Sequence, residues 1–578
     1  MKKMMLLAAC LHSLFLNAQE ATPWIKPVSF FGIEDIPAMG YIPGSPIVNA
    51  AVWTFEHGVV NAGADTEFHE YKFTGRNAAD GTLIFEHRVE GIDINKVVYD
   101  ASLDQVLVLI NIQQFSAATS LTIGPNTFTP PSFDSRCLTI GLLRYSRSGA
   151  LLGTQWLPFP CSHGLAGALS WDIDTLRERV VLGTEMYGDL NTDFTPFTFG
   201  STTRILRTDS TYLSLFQWDY SGNPLQLSMF EQPFELEDRS RVVDVAYGDK
   251  GDVCILGTLV SDIRFGSITL SGTAAERSSF AARLRADGSV AAAQKIFSSV
   301  AEYAPPLGLA YNKVNKRFYF ANAWSDSWSV NGSVMEHGNL GFKSNILVAS
   351  VDSNLVQQHF TSVRYADTVG TQLFKLSTFK CLQPDAAGNM LLGVFAIDSF
   401  RIKQKLFRSI VTNSQTDIAV VRFDKELQLD TCIRSAGTGI EQLSVIAPGA
   451  GDEVYIGGRF IGQLAFPSLE ARTDEPEQDA YVVKLSLKKG TPVGIGSRRV
   501  APAGTVYPNP ATDKLFVAME KVTHIALYTI DGRCMRTVAC KGAGNQQSIG
   551  ISDLRPGVYL VRITGQNGDS YSTSFTKK

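Results

Sequence analysis

Few residues in this chain of 578 stand at a spacing that chemistry requires. Glu56 and His57 with Glu67, His69 and Glu70 form the densest polar group, and such donors meeting across a hairpin could ligate a metal. Their period-2 alternation equally describes the solvated face of an outer strand, which is the reading adopted. Asp172 and Asp174, in Trp171-Asp172-Ile173-Asp174, set two carboxylates on one strand face. Glycoside hydrolysis needs such a pair, although pairs of this kind also mark turn entrances. Trp324 and Trp328 flank Ser325-Asp326-Ser327. Trp328 reads as core, whereas Trp324 departs from the repeat and could be a stacking platform for a sugar or peptide, with core or loop packing as the favoured alternative. The chain has no G-x-S-x-G, no H-E-x-x-H, no phosphate-binding loop and no EF-hand calcium loop. No catalytic residue, metal ligand or cofactor is therefore assigned. Trp324 is the single candidate binding residue.

The elements that must position these residues are strands. Phe (34), Tyr (18) and Gly (49) are abundant, which favours strands and tight turns. Hydrophobic residues at 44% and charged residues at 19% permit a packed core and exclude general disorder. Net charge is −4, with residues 19–505 carrying 41 Lys/Arg against 51 Asp/Glu, a net of −10. An acidic body repels polyanions, so nucleic acid is not an expected partner.

Lys2 and Lys3, the apolar run from Met4 to Leu16, and Leu16-Asn17-Ala18 make residues 1–18 a signal peptide. Leu7-Ala8-Ala9-Cys10 spells a lipoprotein-type box. Only six residues precede Leu7, however, and the apolar run continues past it to Leu11 and Phe15, so cleavage after Ala18 is preferred. Seven cysteines then remain, an odd number with no CxxC and no zinc spacing. Cys254 reads as a buried small hydrophobe, and Cys534 and Cys540 either pair or stay as two thiols.

Two phrases recur in fixed order. The first is an apolar strand closed by a small residue: Val180 to Gly183, Cys254 to Gly257, Phe318 to Ala321, Met390 to Gly393 and Val454 to Gly457. A large apolar residue follows at Phe265, Trp328, Phe400 or Phe466. The second phrase is a strand running into a turn, with endpoints at 73, 145, 218, 284, 351, 423 and 485. Successive steps are 72, 73, 66, 67, 72 and 62 residues. Four residues past five of these endpoints stand Gly149, Gly222, Gly288, Leu355 and Leu427. Each copy has room for about four strands.

A four-stranded sheet cannot bury both faces alone, and radial stacking buries each face on a neighbour. The expected fold is all-β: a seven-bladed β-propeller-like repeat domain over 40–490, after a lead-in at 19–39. An open β-solenoid or two smaller propellers would use the same repeat. Val454-Tyr455-Ile456-Gly457-Gly458-Arg459-Phe460, Phe466 and Asp479 to Leu485 resemble the bacterial propeller repeat known as SBBP. The earlier copies match less well, with Asn345 or Ser279 where Asp417 and Asp479 stand.

Residues 491–505 read as a Gly/Pro/Ser-rich linker, and 506–578 as a small antiparallel β-sandwich. The tail opens on Tyr507-Pro508-Asn509-Pro510 and continues through a strand into Asp531-Gly532-Arg533. It then has Leu554-Arg555-Pro556-Gly557-Val558-Tyr559 and ends on Lys577-Lys578. In this order the motifs resemble the type A C-terminal sorting domain of the type IX secretion system of Bacteroidota. The resemblance implies transit through the periplasm to the cell surface or medium, with the translocon and its sortase as partners. It also implies removal of the tail and, for some members, attachment to anionic lipopolysaccharide. Non-catalytic binding of an unidentified glycan or peptide, or adhesion, is the expected function. The alternative is a hydrolase or lyase with its site on the propeller axis.

Overall fold

The computed structural model describes residues 23–488 and 505–578 apart from short interstrand stretches, the longest being 366–380. The described residues form strands and turns, with no helix among them. They divide into two compact units, residues 1–491 and 492–578.

Among the described residues the larger unit contains seven antiparallel sheets of four or more strands. Their first strands are Ile33–Tyr41, Ile92–Asp100, Ser170–Asp174, Arg241–Tyr247, Pro306–Asn312, Leu382–Pro384 and Ile440–Pro448. These first strands pack side by side in chain order, and Ile440–Pro448 packs against Ile33–Tyr41. The arrangement is propeller-like. All seven repeat endpoints fall on third strands, from Phe73 in Ala64–Asn77 to Leu485 in Asp479–Ser486. The small-residue phrases fall on second strands.

Small residues are required there because the next sheet nests against them. A Cβ on Gly183 would stand 2.6 Å from Val245 of the fourth sheet, and one on Gly393 would stand 2.2 Å from Leu443 of the seventh. Apolar cores accordingly lie between neighbouring sheets, one joining the second and third (Leu109, Trp171, Phe216) and another the seventh and first (Val445, Tyr455, Val48). Short hairpins between second and third strands reach back to the preceding sheet. Ser399–Ile402 extends the fifth sheet through Val363 and Ile402, and Phe265 packs on Phe230 with ring centroids 4.7 Å apart. This explains the recurring large apolar position.

Residues 19–39, read above as a lead-in, contain ordered strands. Trp24–Val28 is the outer strand of the seventh sheet, antiparallel to Asp479–Ser486, and Ile33–Tyr41 opens the first sheet. Sequence reading missed the first of these because its partner lies at the other end of the unit.

The smaller unit packs a three-stranded sheet on a four-stranded one around Leu515, Ile525, Leu527, Val561 and Phe575. Its motif residues meet. The Thr576 N–H donates to Asn509 Oδ1 at 2.9 Å, and the Lys578 N–H donates to the Ala511 carbonyl at 2.9 Å. Leu554 and Tyr559 are buried, and Tyr507 stacks on Phe516 with centroids 5.8 Å apart. Pro508, Pro510, Pro556, Gly557 and Lys578 are exposed, and Lys577 is buried. Asp531 and Gly532 lie outside the described residues.

Candidate functional site

The first strands of the larger unit surround two adjoining cavities of about 220 and 230 Å³. Both are lined by Lys96, Val98 and Gln383, and together they touch the first strand of every sheet. Several of these strands carry a bulge, between Ile94 and Lys96, Val242 and Asp244, Pro306 and Gly308, and Leu443 and Val445. A bulge turns the following side chains and re-aims them.

One cavity is polar-walled. Lys96 pairs with Asp172 and donates to the Trp171 carbonyl at 3.3 Å, while Asp172 Oδ2 accepts the Tyr247 N–H at 2.7 Å. Asp244 accepts the Ser170 hydroxyl at 2.8 Å and the Val245 and Leu309 N–H groups at 2.9 Å. A first strand has one unpaired edge, and these carboxylates satisfy edge amides of the next sheet. Asp174 accepts the Leu176 N–H at 3.0 Å and pairs with Arg177 at 3.0 Å. Burial and the nearby Asp249 and Asp252 charges push the Tyr311 hydroxyl up to about 12. Burial, Asp172 and Asp174 also hold the Tyr247 hydroxyl well above its ordinary value, so both phenols are neutral donors at neutral pH. The other cavity is walled by Ala38, Met39, Val97, Val445, Ile446, Ala447 and Pro448. A ligand here would meet hydrogen-bonding groups on one side and aliphatic surface on the other.

Asp172 and Asp174 thus line one cavity, but each is bound to a different cation and a different amide. Lys96, Asp244, Tyr311 and Gln383 went unnoticed in the sequence, which gives them no motif. Trp324 ends the strand Arg317–Trp324, opposite Asn345, and Trp328 begins a hairpin; both side chains lie outside the described residues. The side chains of Glu56, His57, Glu67, His69 and Glu70 also lie outside them, on a hairpin where His57 stands opposite Glu67 and Phe55 opposite His69. Among the described residues no group of three His, Cys, Asp or Glu could hold a metal. Cys254, Cys432 and Cys540 are free thiols, and burial pushes Cys432 up to about 12. Cys534 has its side chain outside the described residues.

Residues 505–578 match the family described as the secretion system C-terminal sorting domain. The tail is therefore a type IX sorting domain, and the chain is exported by that machinery to the cell surface or the medium. No curated protein matches the chain. Among solved structures, the chain is similar to the Dos1 propeller, at 9% identity and TM-score 0.37, over 81% of this chain and 96% of that one. It is also similar to a mutant of the Synechocystis apocarotenoid oxygenase, at 11% identity and TM-score 0.32, over 81% and 94%.

Proposed function

We propose that this chain is an exported, non-catalytic binding protein whose body is a closed seven-bladed propeller of SBBP-like repeats. Closure is supported by the packing of Ile440–Pro448 on Ile33–Tyr41 and by the N-terminal strand that completes the seventh sheet. The ligand sits in the axial cavities and is a neutral glycan or peptide fragment with one hydrogen-bonding edge and one apolar face. Trp324, at the end of a second strand, is a separate candidate contact.

The observation that carries this reading is the engagement of the cavity carboxylates. An acid–base pair must hold or release a proton at the reacting atom. Asp172, Asp174 and Asp244 instead accept backbone amides and pair with Lys96, Arg177 or Ser170. Asp172 and Asp244 hold neighbouring sheets together, and Asp174 closes the turn after its own strand. The hydrolase alternative has no comparable observation behind it.

A glycan and peptide array probed with the exported protein tests the reading. Gln383→Ala should weaken any saturable ligand by about 1–3 kcal/mol if it is a central contact. Trp324→Ala should weaken a loop-bound ligand alone. Equal binding by both variants and the parent would exclude both contacts.

The sortase removes the tail in or near 491–505, and the body is then released or fixed to anionic lipopolysaccharide. Mass spectrometry of the surface form should find its C-terminus in that stretch. An intact Lys578 there would contradict processing. Deleting 506–578 should leave a folded body in the periplasm.

A further inference from the structure

Trp24–Val28 is bound as a ligand would be. Its five residues pair with Lys484 to Ala480 in antiparallel register. Trp24 is buried on one side of the strand, and Ile25 packs on the other against the cluster of Leu464, Phe466 and Val483. The Trp24 Nε1–H donates to the Ala78 carbonyl at 3.0 Å. Lys484 Nζ donates to the same carbonyl at 2.9 Å and pairs with Glu453 at 3.0 Å. Gly81 has φ of +73°, and a Cβ on it would stand 2.5 Å from the Trp24 ring. The turn through Gly81 is thus pressed flat against the indole. Three segments converge on Ala78: the N-terminal strand, the last strand of the seventh sheet and the outer turn of the first.

We propose that this groove is a peptide-acceptor site, filled in cis by residues 24–28, and that the strap is separable from the body it completes. Main-chain pairing along a sheet edge supplies affinity, and pockets for alternate side chains supply specificity. Trp24 is the anchor. Pro27 lacks an N–H and is suited to an edge strand, where one side of the backbone is unpaired. A single strand with an aromatic anchor can therefore be exchanged while the other sheets keep their own pairing. The body is complete only once residue 486 has been made.

The test uses the full chain with a protease site placed between Val28 and Ile33 and cut after folding. A fluorescent peptide of residues 19–29 should exchange into the cut protein and saturate, while the melting transition persists. A Trp24→Ala peptide should bind roughly 10- to 100-fold more weakly. Gly81→Ala in the body should weaken the parent peptide. Unfolding on cutting, an unchanged melting point with no peptide uptake, or equal uptake of the Trp24→Ala peptide would each overturn the proposal.

Discussion

The junctions of the third, fourth and fifth sheets are built differently from those of the sixth, seventh and first. In the former, carboxylates cross from sheet to sheet: Glu185 accepts the Val242 N–H at 2.9 Å, Asp172 that of Tyr247 and Asp244 that of Leu309. In the latter, the first strands meet through apolar side chains, Leu443 and Ile446 nesting on Gly393 and Val445 and Ala447 sharing a core with Met39 and Val48, while the charged crossings, from Arg422 to Asp452 and from Lys484 to the Ala78 carbonyl, start from third strands. The polar arc gives one cavity its hydrogen-bonding wall. The apolar arc gives the adjoining cavity its aliphatic wall, and the strap its groove. Charged bridges set direction and register, whereas close-packed contacts resist any change of volume.

The comparison can be broken at several points. Deleting 437–490 removes the seventh sheet and the partner of the strap, and should abolish the cooperative melting of the whole body. An open array would instead lose one sheet and keep the rest. Gly393→Ala puts a methyl against Leu443 and should cost about 2–3 kcal/mol by urea titration, more than Gly183→Ala at the bridged junction. Equal costs would erase the distinction between the arcs. Asp244→Asn replaces one of two accepting oxygens by a donor, which must then face either the Leu309 or the Val245 N–H, and should cost about 1–2 kcal/mol.

Glu441, in the apolar arc, sharpens the contrast through pH. It is fully buried, bonded to Ser435, and held well above the ordinary carboxylate range by burial and by Asp417. Its folded form keeps the proton after the unfolded form has lost it. Stability is therefore fully present below the unfolded value and falls as pH rises through the folded one, by at most about 1.4 kcal/mol per pH unit. Glu441→Gln should match the parent near pH 4 and exceed it increasingly above. Parallel melting curves at every pH would contradict the assignment.

The smallest effect concerns the outer turns. Leu355 and Leu427 have φ of 64° and 58°, at the positions filled by Gly149, Gly222 and Gly288 in other sheets, yet both are fully buried. Burying a leucine is worth about 1.5–3 kcal/mol, which exceeds the 1–2 kcal/mol cost of the left-handed backbone. Leu355→Gly should therefore be more stable than Leu355→Ala by about 1 kcal/mol, the reverse of the order in a strand interior. The usual order would show that the turn relaxes.

That turn shows why much of the body was legible. The positions four residues past the strand endpoints, at Gly149 and Leu355 alike, mark one left-handed backbone conformation that recurs in five copies. The strap was not legible, because Trp24 and Lys484 are paired across nearly the whole unit and neither end carries a local signal. The tail was legible from its motifs, though the bond between Asn509 and Thr576 that joins them was not. At the cavity, Asp172 and Asp174 drew notice as a carboxylate pair, but Lys96 and Tyr247, which bind Asp172, come from other repeats. Convergence of distant repeats on one cavity leaves no spacing to read.

The most direct test of the central claim is to incubate the purified exported protein with the glycan and peptide library and follow binding and product together. The account predicts saturable binding that Gln383→Ala weakens, with no new product at any time. Product formation that a single substitution of Asp172, Asp174 or Asp244 abolishes, in a variant that still folds, would contradict it.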